Sequence, residues 1–276
     1  MKAPILALAA TFAAVTFVSP TDGQTFSDCN KCPQMISIAP GAVSAEYSKA
    51  KKKSQWIVVK QRYALSKFEI TRGQYAAFIA ATGYKTEPCL HKNGRRWELS
   101  SVQNWTNPGF KQGNDEPVAC VSRGDALSYT KWLSHVSGKS YRLPLENEWI
   151  YAATGKEGSF PFSKRFENHA ERCKYANTAD KALKQKYPNV QISKCTDYYI
   201  YTAPIGRFKP NGFGLHDMLG NVSEWIAPSN KNGADIARGG SWIMMAGAGR
   251  SAYRFRNSTK KRYSDIGFRV ARTLSK

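Results

Sequence analysis

The chain has 276 residues, a formal charge of +21 at pH 7, and 42% hydrophobic residues that include seven Trp, fourteen Tyr and thirteen Phe. That length supports a substantial buried core, and the apolar and aromatic content excludes an intrinsically disordered chain. The positive excess points to an anionic partner such as lipid headgroups, cell-wall or lipopolysaccharide anions, or an acidic protein; no nucleic-acid-binding motif accompanies it, so nucleic acid is not an expected partner.

Met1-Lys2 followed by the apolar run from Ile5 to Val18, broken by Ser19-Pro20, has the charged start, short hydrophobic middle and polar exit of a secretory signal peptide. The run is short for a bilayer span, and no second long apolar stretch follows it. Residues 1–24 are therefore expected to be a signal peptide and residues 25–276 one exported domain, with no transmembrane segment, in an oxidising compartment. Removing the peptide deletes Lys2 and Asp22, one charge of each sign, so the basic excess belongs to the mature protein. It clusters at Lys49 to Lys53, Lys181 to Lys186 and Arg250 to Arg262.

Six cysteines lie beyond the signal peptide, and an even count in a secreted chain reads first as disulfides. Chain order pairs Cys29 with Cys32, Cys89 with Cys120 and Cys173 with Cys195, one of fifteen connectivities that six cysteines allow. The first pair also has redox-motif spacing, but no strand precedes it and no helix signal follows. His91, His135, His169 and His216 are scattered without zinc-ligand spacing.

Met35-Ile-Ser-Ile-Ala39 alternates as a short strand ending at Pro40-Gly41, and Trp56 to Val59 and Tyr63 to Ile70 continue that texture. Thr71-Arg-Gly-Gln74 has capping-box spacing, and Tyr75, Phe78, Ile79 and Thr82 follow at helical intervals up to Gly83. Residues 84 to 116 read as a long ordered loop anchored by Trp97 and Trp105. A second helix opens at Ser122-Arg-Gly-Asp125, with an apolar face of Ala126, Tyr129, Trp132, Leu133 and Val136 and a C-cap at Gly138. A third follows Tyr141-Arg-Leu-Pro144, with Glu146 and Glu148 in the first turn, where the helix dipole favours acids. From Gly155 to Gly240 helical period nearly disappears, and Ile266 to Ala271 alternates as a closing strand.

Within that irregular half, the stretch from Asn211 to Trp225 places Gly212, Gly214 and Gly220 among Asp217, Asn221 and Glu224. The glycines allow unusual backbone geometry, and the three polar side chains offer hard oxygen ligands that a structural cation could gather.

Five ordered motifs, YRLPLENEWIYAA (Tyr141 to Ala153), GFGLHDMLGNVSEW (Gly212 to Trp225), RGGSW (Arg238 to Trp242), RSAYR (Arg250 to Arg254) and IGFRVAR (Ile266 to Arg272), resemble in order and spacing the formylglycine-generating enzyme family, also called the sulfatase-modifying factor family. FEITRGQYAAFIAATGY (Phe68 to Tyr84) and PVACVSRGDALSYTKWL (Pro117 to Leu133) look like the same family. The resemblance implies an α+β fold, a single compact domain with a C-type-lectin-like core and little regular secondary structure, and bound calcium. It assigns one calcium to Asp217, Gly220, Val222 and Glu224, and a second to Asn177, Thr178, Asp197 and Tyr199.

The resemblance stops short of the copper chemistry. The enzymes carry two cysteines just after the GGS motif, whereas here Met244 and Gly249 stand near those positions and no cysteine follows residue 195. Soft thiolates suit Cu(I) and a thioether is no equivalent, so copper and formylglycine generation are not expected. The resemblance extends to periplasmic type VI secretion regulators and to pyoverdine-maturation proteins. The implied function is a calcium-stabilised binding or regulatory module in the cell envelope, in the bacterial periplasm. Trp242, Arg250, Tyr253, Arg254 and Arg256 are the candidates to line its groove, and the partner is an envelope protein or anionic envelope component. The alternative is a periplasmic oxidoreductase of the same family with a different cofactor or substrate.

Overall fold

Every residue of Met35–Ile38 is buried, Ser37 included, so this strand is covered on both faces although its short sequence alternates. The computed structural model describes residues 20–48, 53–93, 96–155, 169–227, 236–244, 255–256 and 260–274. In chain order its elements are β1 Thr25–Phe26, β2 Met35–Ile38, β3 Gly41–Ser48, β4 Lys53–Val59, β5 Tyr63–Ser66, α1 Arg72–Thr82, β6 Cys89–Asn93, β7 Arg96–Ser100, α2 Arg123–Ser137, β8 Tyr141–Arg142 and α3 Glu146–Thr154. There follow α4 His169–Arg172, α5 Lys181–Lys186, β9 Ser223–Trp225, β10 Ile236–Arg238, β11 Phe255–Arg256, β12 Ile266–Phe268 and β13 Ala271–Thr273. This is the low-regularity α+β fold that the motifs imply.

Two sheets carry the framework. An antiparallel sheet runs β1-β2-β5-β13-β8, and a second runs β11-β10-β9-β12, with β12 parallel to β9. β3–β4 and β6–β7 form separate two-stranded hairpins. The first sheet is packed on both sides. On one side Met35 and Ala64 join Tyr75 and Phe78 of α1, Tyr129 of α2 and Phe268. On the other, Ile36, Ile38 and Leu65 meet Trp149 and Ile150 of α3, Ile57 and Val59 of β4, and Phe213 and Met218 of the glycine-rich loop.

The capping signals place the helices as read. Thr71 N donates to Gln74 Oε1 at 3.0 Å while Gln74 N donates to Thr71 Oγ1 at 3.1 Å. Ser122 and Asp125 make the same reciprocal pair at 2.8 and 3.1 Å. Val136, expected on the apolar face of α2, is instead 48% exposed, one turn past Trp132. The three disulfides join Cys29–Cys32, Cys89–Cys120 and Cys173–Cys195, the chain-order pairing, and leave no free cysteine.

Three segments differ from expectation. The loop at 84 to 116 contains the β6–β7 hairpin, which begins at the bridged Cys89. The basic run from Lys181 is a helix, because Asp180 accepts from Ala182 N at 2.8 Å and Leu183 N at 3.1 Å and so caps it. The closing strand is split: Ile266–Phe268 and Ala271–Thr273 belong to different sheets, and Arg269 turns into the core at the break. Ahead of the boundary expected after residue 24, Gly23 N donates to Ser37 O at 2.8 Å and Ser37 N to Gln24 O at 3.1 Å. Residues 1–19 of the expected signal peptide lie outside the described residues.

Among the described residues no helix is long and apolar enough to cross a membrane. The parallel pairing of β12 with β9 depends on a side chain that is absent: a Cβ on Gly267 would sit 2.4 Å from Val118 O and 2.9 Å from Val222 Cγ2. Gly267→Ala should therefore destabilise the fold by about 1–3 kcal/mol. Gly124→Ala, whose Cβ would meet nothing closer than 3.6 Å near the start of α2, should stabilise it by about 0.5–1 kcal/mol. Denaturant melts of the two variants give opposite shifts in midpoint if this packing is right.

Candidate functional site

The loop from Asn211 to Trp225 is ordered by its own polar side chains. Asn211 Oδ1 accepts from Phe213 N at 3.0 Å and Leu215 N at 3.2 Å, while its Nδ2 donates to Ala152 O at 2.7 Å and ties the loop to the end of α3. Gly220 has φ 78°, and a Cβ there would lie 2.0 Å from Asn177 O, so this position admits glycine alone. The residue after it, Asn221, is fully buried and uses both ends of its amide. Oδ1 accepts from Ala203 N at 2.9 Å and Asn177 Nδ2 at 3.1 Å, and Nδ2 donates to Glu69 Oε2 at 2.8 Å and Ala203 O at 3.2 Å.

Beneath the loop lies a buried ionic cluster. Arg269 Nε and Nη2 donate to the two oxygens of Glu224, each at 2.7 Å, and Trp149 Nε1 donates to Glu224 Oε2 at 2.7 Å. Arg269 also donates to Ser66 O at 3.0 Å and His216 O at 2.9 Å. Glu69 accepts from Val222 N at 3.1 Å through Oε1. Asp217 Oδ2 accepts from Gly206 N at 3.0 Å, whereas its Oδ1 is buried without a partner. Three carboxylates thus face one guanidinium in a region where each of the four residues is at most 2% exposed.

The electrostatics follow from that imbalance. Burial, then the charges of Asp217 and Glu224, hold Glu69 well above the usual carboxylate range. Burial pushes Asp217 up to about 6. Burial alone would lower Arg269, but Glu224, followed by Glu69 and Asp217, more than offsets it and keeps the guanidinium charged. Asp217 also lines a cavity of about 10 Å³ with Tyr175, Lys209, Asn211 and Leu215, room for one water-sized sphere.

The residues expected to form a second centre lie beside this loop, joined to it through the Asn177–Asn221 contact. Asp197 Oδ2 accepts from Thr178 N at 3.0 Å and Oδ1 from Tyr199 N at 2.9 Å. Asp180 Oδ2 accepts from Asp197 N at 2.6 Å. Carboxylate oxygens of Asp180 and Asp197 lie within 4.8 Å of each other and of Cys173 Sγ, but that sulfur is bound to Cys195 and is no thiolate ligand. Asn177 Oδ1 and Thr178 Oγ1 are buried without partners. Burial pushes Asp197 up to about 7, with Asp180 adding to the shift and the Tyr199 and Thr178 amides opposing it.

Asp197 thus ties the backbone of Thr178 to that of Tyr199, and Asn177 Oδ1 and Thr178 Oγ1 are orphaned acceptors of the kind a hard cation takes. In the glycine-rich loop both oxygens of Glu224 are taken by Arg269 and Trp149, and Asp217 Oδ1 is left open. Asp180 and Glu69 are the acids that sequence reading missed. Asp180 is signalled by its place before Lys181-Ala-Leu-Lys184, as an N-cap, and Glu69 by its place two residues before the capping Thr71.

The region expected to form a groove is different in kind. Trp242 is 1% exposed; its ring packs edge-on to Tyr201 at 5.1 Å and Phe110 at 5.7 Å, in a cluster with Leu183 and Tyr187. It fills a core and does not line a surface. Arg250, Tyr253 and Arg254 lie outside the described residues, as does Gly249; of Arg256 the backbone is described, paired with Ile236. Met244 N donates to Ser241 O at 2.9 Å and Met244 O accepts from Ala179 N at 3.0 Å, which closes the turn after the GGS motif.

These features define a sulfatase-modifying-factor fold with an oxygen-rich buried centre and no thiol. The model of the sulfatase-modifying factor enzyme 1-like domain matches residues 21–274, and the chain belongs to that family. It is 30% identical over 248 residues to inactive C-alpha-formylglycine-generating enzyme 2 of Bos taurus, covering 76% of each chain. It is 26% identical over 259 residues to the formylglycine-generating enzyme of the same species, covering 76% of this chain and 65% of that one. Among solved structures, PvdO from Pseudomonas aeruginosa superposes with a TM-score of 0.77 at 28% identity, over 93% of this chain and all of that one.

One acid beside the GGS motif has a separable effect. Asp265 is fully buried; Oδ2 accepts from Ser241 Oγ at 2.7 Å and Oδ1 has no partner. Burial pushes its carboxyl from 3.8 up to about 6. Between those values the folded protein holds a proton that the unfolded chain has lost, so this group's stabilising effect is complete at low pH and is lost as pH rises through 6. Asp265→Asn removes the titration. Relative to that variant, wild type should lose about 2 kcal/mol between pH 4 and pH 7, read from urea melts at the two pH values; a pH-independent difference would contradict the assignment.

Proposed function

We propose that this chain is an exported binding or regulatory domain whose irregular half is ordered by calcium, and that it does not carry out copper-dependent formylglycine generation. The observation that carries the second half of this reading is the closure of every cysteine in a disulfide. A chain without a thiol cannot offer the thiolate pair that suits Cu(I). The two bovine relatives do not decide the matter, since one is named an enzyme and the other inactive at comparable identity. The absence of thiolates favours the inactive kind.

Support for calcium comes from geometry. Asn177 Oδ1, Thr178 Oγ1 and Asp217 Oδ1 are buried acceptors without partners. Unpaired buried polar atoms are costly, and an oxygen-ligated cation satisfies several at once. Asn177, Thr178, Asp197 and Tyr199 would hold one ion. Asp217, with Gly220 and Val222, would hold the other, with Glu224 committed to Arg269. When bound, calcium supplies charge neutralisation and loop order; no chemical step is assigned to it. A net charge of +21 favours an anionic envelope component or an acidic envelope protein as partner, and the periplasm is the compartment in which disulfides and such partners coincide.

A second reading, an oxidoreductase using the family's groove with a different cofactor, is favoured by the enzyme relative. It requires a redox metal in the purified protein or oxygen consumption with a small aromatic substrate. Metal analysis that finds calcium and neither copper nor iron after reconstitution decides for the binding domain.

The calcium assignment has a direct thermal readout. Ligand at about 100 times its Kd stabilises the native state by about 2.7 kcal/mol, which for a domain of this size is a Tm shift of about 5–10 °C. Excess chelator should lower Tm by that amount and added calcium should restore it, while Asn177→Ala and Asp197→Asn combined with Asp217→Asn should abolish the calcium dependence. A Tm indifferent to chelator, in a protein that contains no calcium, overturns the ligand assignments.

A further inference from the structure

The connection between β1 and β2 carries Cys29-Asn-Lys-Cys32, a motif that the oxygen-rich centre does not use. No strand is legible before it in the sequence, yet in the structure β1 leads into it and pairs with β2 on its far side, Thr25 opposite Ile36 and Phe26 opposite Met35. The turn closes without help from sulfur, because Cys32 N donates to Cys29 O at 3.0 Å. Both flanks are anchored as well. Asp28 accepts from Tyr141 Oη at 2.5 Å and from Arg272 Nη1 at 2.7 Å, Gln34 O accepts from Lys67 N at 2.8 Å, and Cys32 belongs to the core cluster of Met35 and Ala64.

The three bridges therefore differ in what they hold. Cys89 and Cys120 are fully buried and 31 residues apart. Cys173–Cys195, whose second sulfur is on a half-buried residue, ties together segments 22 residues apart in the irregular half. A bridge between residues three apart removes the least entropy from the unfolded chain, and here it spans a turn that hydrogen bonds already fix. Exposure is uneven within the pair: Cys32 is 7% exposed, whereas Cys29 is half-buried and Asn30 and Lys31 between them are exposed. An incoming sulfur thus has one open target, Cys29, next to a leaving sulfur held against the core.

We propose that Cys29–Cys32 is a thiol–disulfide exchange site that takes two electrons from an accessible dithiol on a partner protein. A thiolate of the dithiol attacks Cys29 Sγ; the bond between Cys29 and Cys32 breaks, and Cys32 Sγ leaves as a thiolate that takes up a proton. The second thiolate of the dithiol then attacks the partner's sulfur in the mixed disulfide and releases Cys29 as a thiolate, which is protonated in turn. The dithiol loses two electrons and two protons and becomes a disulfide, and Cys29 and Cys32 gain both and become thiols. One turnover needs no other oxidant. Lys31 places positive charge inside the motif, which favours the thiolate form of a sulfur beside it. The thiols so formed lie in the β1–β2 turn; no cysteine follows residue 195, so none arises after the GGS motif and copper-dependent formylglycine generation stays out of reach.

The test is graded reduction of the full chain by dithiothreitol under native conditions, followed by alkylation and mass mapping of each cysteine. Cys29 and Cys32 should be reduced at least about tenfold faster than Cys173 and Cys195, with Cys89 and Cys120 last, and the near-ultraviolet circular dichroism should persist while only the first pair is open. A reduced peptide bearing two cysteines should be oxidised one for one as Cys29 and Cys32 gain thiols. Cys32→Ser, which leaves the Cys29 thiol, should react with an aromatic disulfide reagent at least about tenfold faster than Cys29→Ser, which leaves the Cys32 thiol. Cys29→Ser with Cys32→Ser should lower Tm by less than Cys173→Ser with Cys195→Ser does. Reduction of Cys29–Cys32 no faster than that of Cys173–Cys195, loss of the fold when that pair alone opens, or a peptide dithiol left unoxidised overturns the proposal on wild-type protein, whatever the variants do. Equal rates for the two single variants, or an equal or larger Tm loss for the Cys29 and Cys32 pair, overturns it as well.

Discussion

A guanidinium sealed in a protein interior must have every donor satisfied and its charge balanced, and Arg269 is the point at which this fold meets that demand. Its forked contact with Glu224 joins the turn between β12 and β13 to β9, while its bonds to Ser66 O and His216 O reach the end of β5 and the glycine-rich loop. One side chain therefore connects both sheets and the loop between them. The indole of Trp149 adds α3 to the same carboxylate. The split of the C-terminal strand follows directly: a continuous strand through Ile266 to Ala271 would leave residue 269 in one sheet, whereas the break turns its side chain to where three carboxylates lie.

The same cluster explains why the irregular half can be ordered with so little ladder hydrogen bonding. Glu69 accepts from Val222 N, Asn221 spans Glu69, Ala203 and Asn177, and Asn177 stands beside the Asp197 and Asp180 carboxylates. Side chains satisfy the backbone groups that regular structure would otherwise pair. Arg269 neutralises one of three acids, which leaves Glu69 and Asp217 in need of protons or a cation. That residual charge is the physical link between the fold and the proposed calcium, and it is why Asp217, with an open oxygen, is a better ligand than Glu224.

Much of this was legible in the sequence, and for identifiable reasons. The capping boxes at Thr71 and Ser122 are local signals read from four residues each, and both helices begin where they place them. The cysteine pairing followed chain order, and five motifs placed the fold. What was not legible depends on partners distant in sequence. Nothing near Glu224 announces that Arg269 will occupy both its oxygens, or that Glu69, 152 residues from Asn221, will receive its amide. Its position after the GGS motif marks Trp242 as a groove residue, but Phe110 and Tyr201, remote in the chain, enclose it. The α5 helix was hidden because its six residues are mostly lysine and carry one buried apolar side chain, Leu183; the cap at Asp180 and the contact with Trp242 decide it.

The central claim is that the Arg269–Glu224 pair, and not the loop's backbone alone, holds the two sheets and the glycine-rich loop together. A double-mutant cycle of Glu224→Gln and Arg269→Met, measured by urea unfolding under saturating calcium, tests it most directly. Each single change should cost about 3–5 kcal/mol because it leaves a buried charge uncompensated, and the double change should cost much less than their sum, a coupling of more than about 2 kcal/mol. Single losses that simply add, to within about 0.5 kcal/mol, would contradict the account.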